Sequence, residues 1–173
     1  MRVGFLDHGN KMEKVLVSAC LLGKEVRYDG GSLQSDSSVL KQWLNEGRVV
    51  STCPEFDSGM TIPRAPAEIS KGDGLGVWNS ISQVKDITGK DVTGYFVKGA
   101  QIALELCKLH NLKVAVLAEG SPSCGSSKIY DGSFTGKTIE GVGVTTALLR
   151  EHGIKVFSQH DLEQANQALV KNT

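Results

Sequence analysis

Short apolar runs alternate with amphipathic stretches along most of this chain. Runs of consecutive apolar residues are typical of strands that are buried on both faces. Such runs predict four strands, at residues 15–19, 48–52, 112–117 and 154–157. Apolar residues at helical spacing, with capping residues before them, predict four helices. The helices span residues 36–47, 91–110, 142–152 and 161–170, and Asp36 and either Asp91 or Thr93 are the expected caps of the first two.

The alternation of strands and helices predicts an α/β fold with a mostly parallel sheet. Right-handed crossovers place helices on both faces of such a sheet, so we expect a three-layer, Rossmann-like sandwich. The segment 54–89, rich in proline and glycine, interrupts this alternation. It contains a weak hairpin pattern at residues 65–70 and 77–84, and residues 129–138 predict a turn or a small hairpin. A connection as long as 54–89 commonly serves as a lid or a binding element.

Composition and charge narrow the function further. The length of 173 residues predicts one domain, at residues 12–173, after an N-terminal extension at residues 1–11. Lys plus Arg and Asp plus Glu number 19 each, so the formal net charge is zero. Because phosphate binding depends on an excess of positive charge, this balance disfavours a dedicated nucleic-acid-binding protein. Neither a run of about 18 apolar residues nor a signal-peptide core is found, and we expect a cytoplasmic protein without a membrane span.

Three of the four cysteines follow predicted strands. Cys20 and Cys53 come directly after the first two strands, and Cys124 lies in a short loop after the third. The carboxyl ends of parallel strands meet at one edge of a sheet, so these residues are expected to converge there. Neighbouring thiolates repel each other, and a metal or cluster removes that cost. The alternative is that they are ordinary buried cysteines, which is our interpretation of Cys107 on the second helix.

Three thiolates leave one coordination position open. Zinc with three cysteines and a water or substrate is one solution. The other is an iron–sulfur cluster, which normally takes four thiolates and with three keeps one iron open as a Lewis acid.

Further polar residues are expected near the same edge. Glu55, two residues after Cys53, is either a general acid or base or an ordinary surface carboxylate. Ser121 and Ser123 flank a proline beside Cys124, and they either orient a polar substrate or bond their own backbone. We expect Arg64 and Glu68 to form an ion pair that holds the long segment in place.

The chain resembles the thiouracil desulfurase (TudS) family, formerly a domain of unknown function. The resemblance covers residues 15 to about 158, and its motifs occur in the same order. The motifs are S-A-C-L-L-G at 18–23, R-Y-D-G at 27–30, C-P-E at 53–55, I-P-R-A-P-A-E-I at 62–69, S-P-S-C-G-S at 121–126 and I-Y-D-G-S-F at 129–134.

The resemblance implies an iron–sulfur enzyme. In this family a [4Fe-4S] cluster is held by three cysteines, which correspond to Cys20, Cys53 and Cys124. The open iron binds the sulfur of 2-thiouracil or 4-thiouracil, and non-redox desulfuration yields uracil and hydrogen sulfide. The catalytic acid/base glutamate corresponds to Glu55, and the substrate-contacting serine to Ser121. The implied partner is a small thiolated pyrimidine, and we expect a monomer or a small homo-oligomer.

Three other functions remain open from the sequence. A desulfidase acting on thiouridine in tRNA is disfavoured by the neutral charge. A cluster-bearing sensor or sulfur carrier would bind the same cluster without turnover. A zinc enzyme would use the same three cysteines.

Overall fold

The structure is a computed structural model that describes residues 12–171. These residues contain eight short strands and six α-helices. The predicted extension at residues 1–11 lies outside the described residues. The strands are β1 (Val15–Ser18), β2 (Val49–Thr52), β3 (Ala67–Ser70), β4 (Gln83–Asp86), β5 (Val114–Leu117), β6 (Lys128–Tyr130), β7 (Thr138–Glu140) and β8 (Lys155–Ser158). The helices are α1 (Ser38–Asn45), α2 (Pro54–Asp57), α3 (Gly74–Trp78), α4 (Thr93–Leu109), α5 (Val144–Glu151) and α6 (Leu162–Lys171), and a 3-10 helix spans Ala19–Leu22.

A four-stranded parallel sheet with the order β2-β1-β5-β8 is the central layer. Side chains alternate between its faces, so Leu16 joins one apolar cluster while Val15 and Val17 join another. The first cluster packs the sheet against α4 and α5, and the second packs it against α1 and α6. This arrangement confirms the predicted three-layer α/β sandwich. None of the helices in residues 12–171 is long and apolar enough to cross a membrane.

Two antiparallel hairpins, β3-β4 and β6-β7, lie outside the central sheet. The second confirms the small hairpin predicted at residues 129–138. The first pairs Ala67–Ser70 with Gln83–Asp86, so the prediction of a strand beginning at Val77 was wrong. Val77 lies in α3 instead, because the Asp73 carboxylate accepts hydrogen bonds from the N–H groups of Leu75 and Gly76 and so begins a helix there.

The first helix starts later than predicted. Its first residue is Ser38, and the capping position is Ser37, whose side chain makes no capping hydrogen bond. The prediction that Asp36 caps this helix was therefore wrong. The prediction that Asp91 or Thr93 caps the second long helix was also wrong, because the capping position of α4 is Val92. The Asp91 carboxylate nevertheless accepts a hydrogen bond from the N–H of Thr93, the first residue of α4, at 2.9 Å.

Helix α4 fixes the position of α2, the short helix that contains Glu55. The two helices approach so closely that a Cβ atom added to Gly99 would lie 2.3 Å from the carbonyl oxygen of Pro54. Only glycine permits this contact. The backbone that carries Glu55 is thereby held against the core.

We predict that Gly99→Ala lowers the free energy of unfolding by about 2 kcal/mol, because the new methyl group forces α2 away from α4. Gly94→Ala, in the same helix, is the matched control, since a Cβ there meets nothing within 4 Å. The control should be neutral or slightly stabilising. Urea denaturation of both variants measures the difference, and equal stability would contradict the packing argument.

Candidate active site

A cavity of about 430 Å³ opens at the carboxyl ends of the central strands. Its lining includes the five residues that the family resemblance assigns to the cluster or to the reaction, which come from three separate parts of the chain: Cys20, Cys53, Glu55, Ser121 and Cys124. The structure therefore brings these residues to one place, as the parallel-sheet argument predicted.

Each cysteine reaches the cavity from a different backbone element. Cys20 lies in the 3-10 helix after β1, and Cys53 is the capping residue of α2 after β2. Cys124 is 5% exposed in the loop after β5, whereas the other two are partly buried. All three are free thiols, and so is Cys107, which is 2% exposed in the core of α4 as predicted.

Burial suppresses ionisation of all three cavity thiols. It raises the pKa of Cys20 to about 11 and also raises the pKa values of Cys53 and Cys124. Ionisation of Cys53 would raise the pKa of Cys20 and of Cys124 further, because like charges repel. Such a set needs a positive centre before it can be fully ionised.

The residues present fit an iron–sulfur cluster. Three soft sulfur donors face one cavity, and thiolates are the ligands that such clusters take. Within residues 12–171, no group of three His, Cys, Asp or Glu side chains is placed to hold a single metal ion.

Glu55 lies beside a buried arginine. The Arg64 side chain is 5% exposed, and its Nε lies 3.5 Å from Oε1 of Glu55. The same guanidinium donates hydrogen bonds to the carbonyl oxygens of Val26 and Thr61. Burial raises the pKa of Glu55, while the positive charges of Arg64 and Arg27 oppose that rise. The predicted Arg64–Glu68 ion pair was therefore wrong, because Arg64 pairs with Glu55.

The two serines beside Cys124 have different surroundings. Ser121 lines the cavity, and its hydroxyl oxygen accepts hydrogen bonds from the N–H groups of Ser123 and Cys124. Ser123 is fully buried, and its hydroxyl pairs with that of Thr145 on α5 at 2.8 Å. Ser121 is thus the serine that remains available to a ligand, and Ser123 is a structural residue.

Helix α5 anchors the loop that contains Cys124. The N–H groups of Val144 and Thr145 donate to the carbonyl oxygens of Pro122 and Ser123, at 2.8 and 2.9 Å. The Thr146 hydroxyl donates to the Cys124 carbonyl oxygen at 3.0 Å. The N–H groups in the first turn of a helix have no acceptors within the helix. Here the carbonyl oxygens of the loop are the acceptors.

The chain is similar to known proteins in both sequence and fold. The sequence model of the 2-thiouracil desulfurase family matches residues 15–161. The chain belongs to this family. Uncharacterized protein YbbK of Bacillus subtilis (strain 168) is 42% identical over 148 residues, 86% of this chain and 97% of that protein. A solved structure described as [4Fe-4S]-dependent thiouracil desulfidase TudS is 46% identical, covers 91% of this chain and 98% of its own, and superimposes with a TM-score of 0.83.

The resemblance stated from the sequence motifs is thereby confirmed.

Glu119 is a residue of the site that was not recognised from the sequence of this desulfurase family member. Oε1 of Glu119 accepts hydrogen bonds from the N–H groups of Ser126, Ser127 and Lys128, at 2.9, 3.1 and 3.1 Å. Its Oε2 accepts from the hydroxyls of Ser126 and Ser127. A carboxylate next to a loop rich in glycine and serine was the available signal, because such loops expose N–H groups.

Glu119 should make stability depend on pH. Burial opposes its ionisation, but the hydrogen bonds from Lys128, Ser126 and Ser127 outweigh burial and lower the pKa of Glu119 to about 2. The unfolded value is about 4.3. A lowered folded-state pKa stabilises the protein above the unfolded pKa, and this stabilisation is lost as the pH falls towards the folded value.

We predict that wild-type protein loses unfolding free energy more steeply than Glu119→Gln between about pH 5 and pH 2. Urea denaturation across that range measures both slopes. Glu140→Gln, at an exposed strand position, controls for the loss of one negative charge. Parallel slopes for wild type and Glu119→Gln would show that the carboxylate does not hold the loop.

Proposed function

We propose that this chain is a [4Fe-4S]-dependent thiouracil desulfurase that converts 2-thiouracil or 4-thiouracil to uracil and hydrogen sulfide. The observation that carries the proposal is the shared cavity, in which three thiols meet a partly buried carboxyl group and a serine hydroxyl. The family to which the chain belongs, and the description of its 46% identical structural relative, support it. The reaction adds one water and releases one hydrogen sulfide, so no electrons are exchanged.

Three cysteines hold the cluster in this proposal. Cys20, Cys53 and Cys124 would supply the three thiolate ligands of the cluster, and one of its iron atoms would be left without a protein ligand. When bound, the cluster supplies a sulfur-seeking Lewis acid that makes sulfide a good leaving group. Cys107 contributes no ligand, because it packs inside the core cluster beneath α4.

Glu55 is the proposed acid/base residue. It accepts a proton from the water that attacks the carbon bearing sulfur. Its raised pKa, caused by burial, brings the carboxyl group closer to the range in which proton transfer at neutral pH is efficient. The contact with Arg64 opposes the effect of burial and favours the ionised carboxylate, which is the form that can accept a proton. As the C–S bond breaks, the oxygen of the water remains on the ring.

Ser121 is proposed to orient the pyrimidine substrate by donating a hydrogen bond to it. A hydroxyl group has one proton and two lone pairs. Two backbone N–H groups already donate to the Ser121 oxygen. Its proton is therefore the part left to meet an acceptor atom on the pyrimidine.

The direct test uses protein reconstituted with iron and sulfide without oxygen. We expect 2-thiouracil or 4-thiouracil to yield uracil and sulfide in equal amounts. A cluster that forms without releasing sulfide would identify a sensor or sulfur carrier. Zinc in place of iron would identify a zinc enzyme, and a strong preference for thiolated tRNA over the free base would identify a tRNA desulfidase.

We predict that Glu55→Gln retains the iron content and visible spectrum of the reconstituted protein but loses about 10²- to 10⁴-fold in kcat, the usual contribution of a general acid/base. Glu105→Gln, at an exposed position on α4, is the matched control and should behave as wild type. Wild-type turnover by Glu55→Gln would remove the acid/base assignment while leaving the cluster proposal intact.

The cytoplasmic location, the single domain at residues 12–173 and the monomeric or small homo-oligomeric state stay predictions.

A further inference from the structure

Phe134 has an unusual backbone conformation. Its φ is +57°, in the left-handed region that residues with large side chains seldom adopt. Lys71, Ser80 and Asn111 also have positive φ, but none of them lines the cavity, whereas Phe134 does. Backbone strain in the lining of a cavity is often associated with function, because strained residues cluster at active sites and ligand-binding segments.

Glu68 holds Phe134 in this conformation. Oε1 of Glu68, on β3, accepts hydrogen bonds from the N–H groups of Gly132 and Phe134, at 2.9 and 3.2 Å. Gly132 packs so tightly on β3 that a Cβ there would lie 2.7 Å from the carbonyl oxygen of Ile69. The segment 131–134 is thus fixed on the β3-β4 hairpin, and the strain at Phe134 is compensated by these contacts.

The strained residue is the least exposed aromatic residue of the cavity lining. The lining contains three aromatic residues among those that the structure describes. Tyr28 and Tyr130 are 39% and 41% exposed, and Phe134 is half-buried. A pyrimidine has polar atoms at its edge and π faces above and below. The polar groups of Ser121 and Glu55 suit the edge of the pyrimidine, and a phenyl ring suits one of its faces.

We propose that Phe134 is the platform on which the ring of the substrate stacks, and that Glu68 is the positioning residue that aims it. This inference rests on the proposed function, because it takes a thiolated pyrimidine as the ligand. It adds a determinant of ring recognition that is separate from the cluster and from Glu55. Stacking holds substrate and product alike, so it acts on binding rather than on the chemical step.

The test compares Phe134→Ala with Phe134→Gly in the anaerobically reconstituted protein. Both variants lose the ring, but glycine tolerates the left-handed backbone and alanine does not. Calorimetric titration with uracil, the product, should show affinity reduced about 5- to 100-fold in both variants, as expected for one aromatic stacking contact. Phe134→Gly should nevertheless be the more stable of the two in urea. The KM for 2-thiouracil should rise while kcat changes little.

Two variants of Glu68 test the positioning role. Glu68→Ala removes the acceptor of the two N–H groups and should weaken uracil binding as much as Phe134→Ala does. Glu68→Gln retains an amide oxygen at the same place, so it should restore wild-type affinity. Equal affinities for Glu68→Ala and wild type would overturn the positioning role.

The proposed function and this inference fail separately. Wild-type protein that binds uracil through Phe134 but releases no sulfide from thiouracil would refute the enzyme and retain the platform. Phe134→Ala with wild-type uracil affinity would overturn the platform, and so would wild-type protein with no measurable uracil affinity. Both Phe134 variants lack the ring, so they should bind uracil equally weakly. If the more stable variant binds uracil more tightly than the other, the platform is also overturned.

Discussion

The parallel pairing of β1 with both β2 and β5 is the constraint on which the whole site depends. In the register of the sheet, Ser18 lies beside Thr52, and Val17 lies beside Val116, so all three strands end at one edge. The chain leaves each strand there, and a cysteine follows directly after β1 and β2 and in the loop after β5. Residues far apart in sequence therefore share a cavity through backbone hydrogen bonds of the sheet, and a cluster has no need of a contiguous binding motif.

Carboxylates outside the sheet complete the site by accepting hydrogen bonds from backbone N–H groups. Glu119 accepts hydrogen bonds from the loop that contains Cys124, and Glu68 accepts them from the segment that contains Phe134. Loop backbone in a wall of a cavity has few secondary-structure partners, and a buried N–H without an acceptor is costly. One carboxylate oxygen satisfies two or more of these groups at once, which makes an irregular segment rigid enough to position a functional side chain.

Much of the fold and part of the site could be predicted from the sequence. The four central strands and the positions of Cys20, Cys53 and Cys124 follow from local apolar patterns, because a parallel sheet needs continuous apolar runs. The sequence did not distinguish α3, which starts at Gly74, from a strand. The apolar residues after Asp73 suit either structure, and the Asp73 cap favours the helix. Apolar patterns over a few residues are therefore enough to place the central strands and the cysteines that follow them. They are not enough where, as at α3, a helix and a strand compete for the same residues.

Contacts between the long connections were beyond sequence reasoning. Arg64 was expected to pair with Glu68, four residues away, but it lies against Glu55 at the start of α2. Glu68 instead bonds Gly132 and Phe134, more than sixty residues away. Such contacts depend on how two irregular segments fold over the sheet, and neither residue spacing nor apolar periodicity contains that information.

In the proposed enzyme, three cysteines hold a cluster and leave one iron without a protein ligand. Diffraction at the iron absorption edge, from crystals of anaerobically reconstituted protein, would locate each iron atom. We expect iron in the cavity bonded to the sulfurs of Cys20, Cys53 and Cys124, with one further iron that no side chain contacts. Iron bound elsewhere, a single metal ion in the cavity, or a fourth protein ligand such as Glu55 would rule out this ligand set.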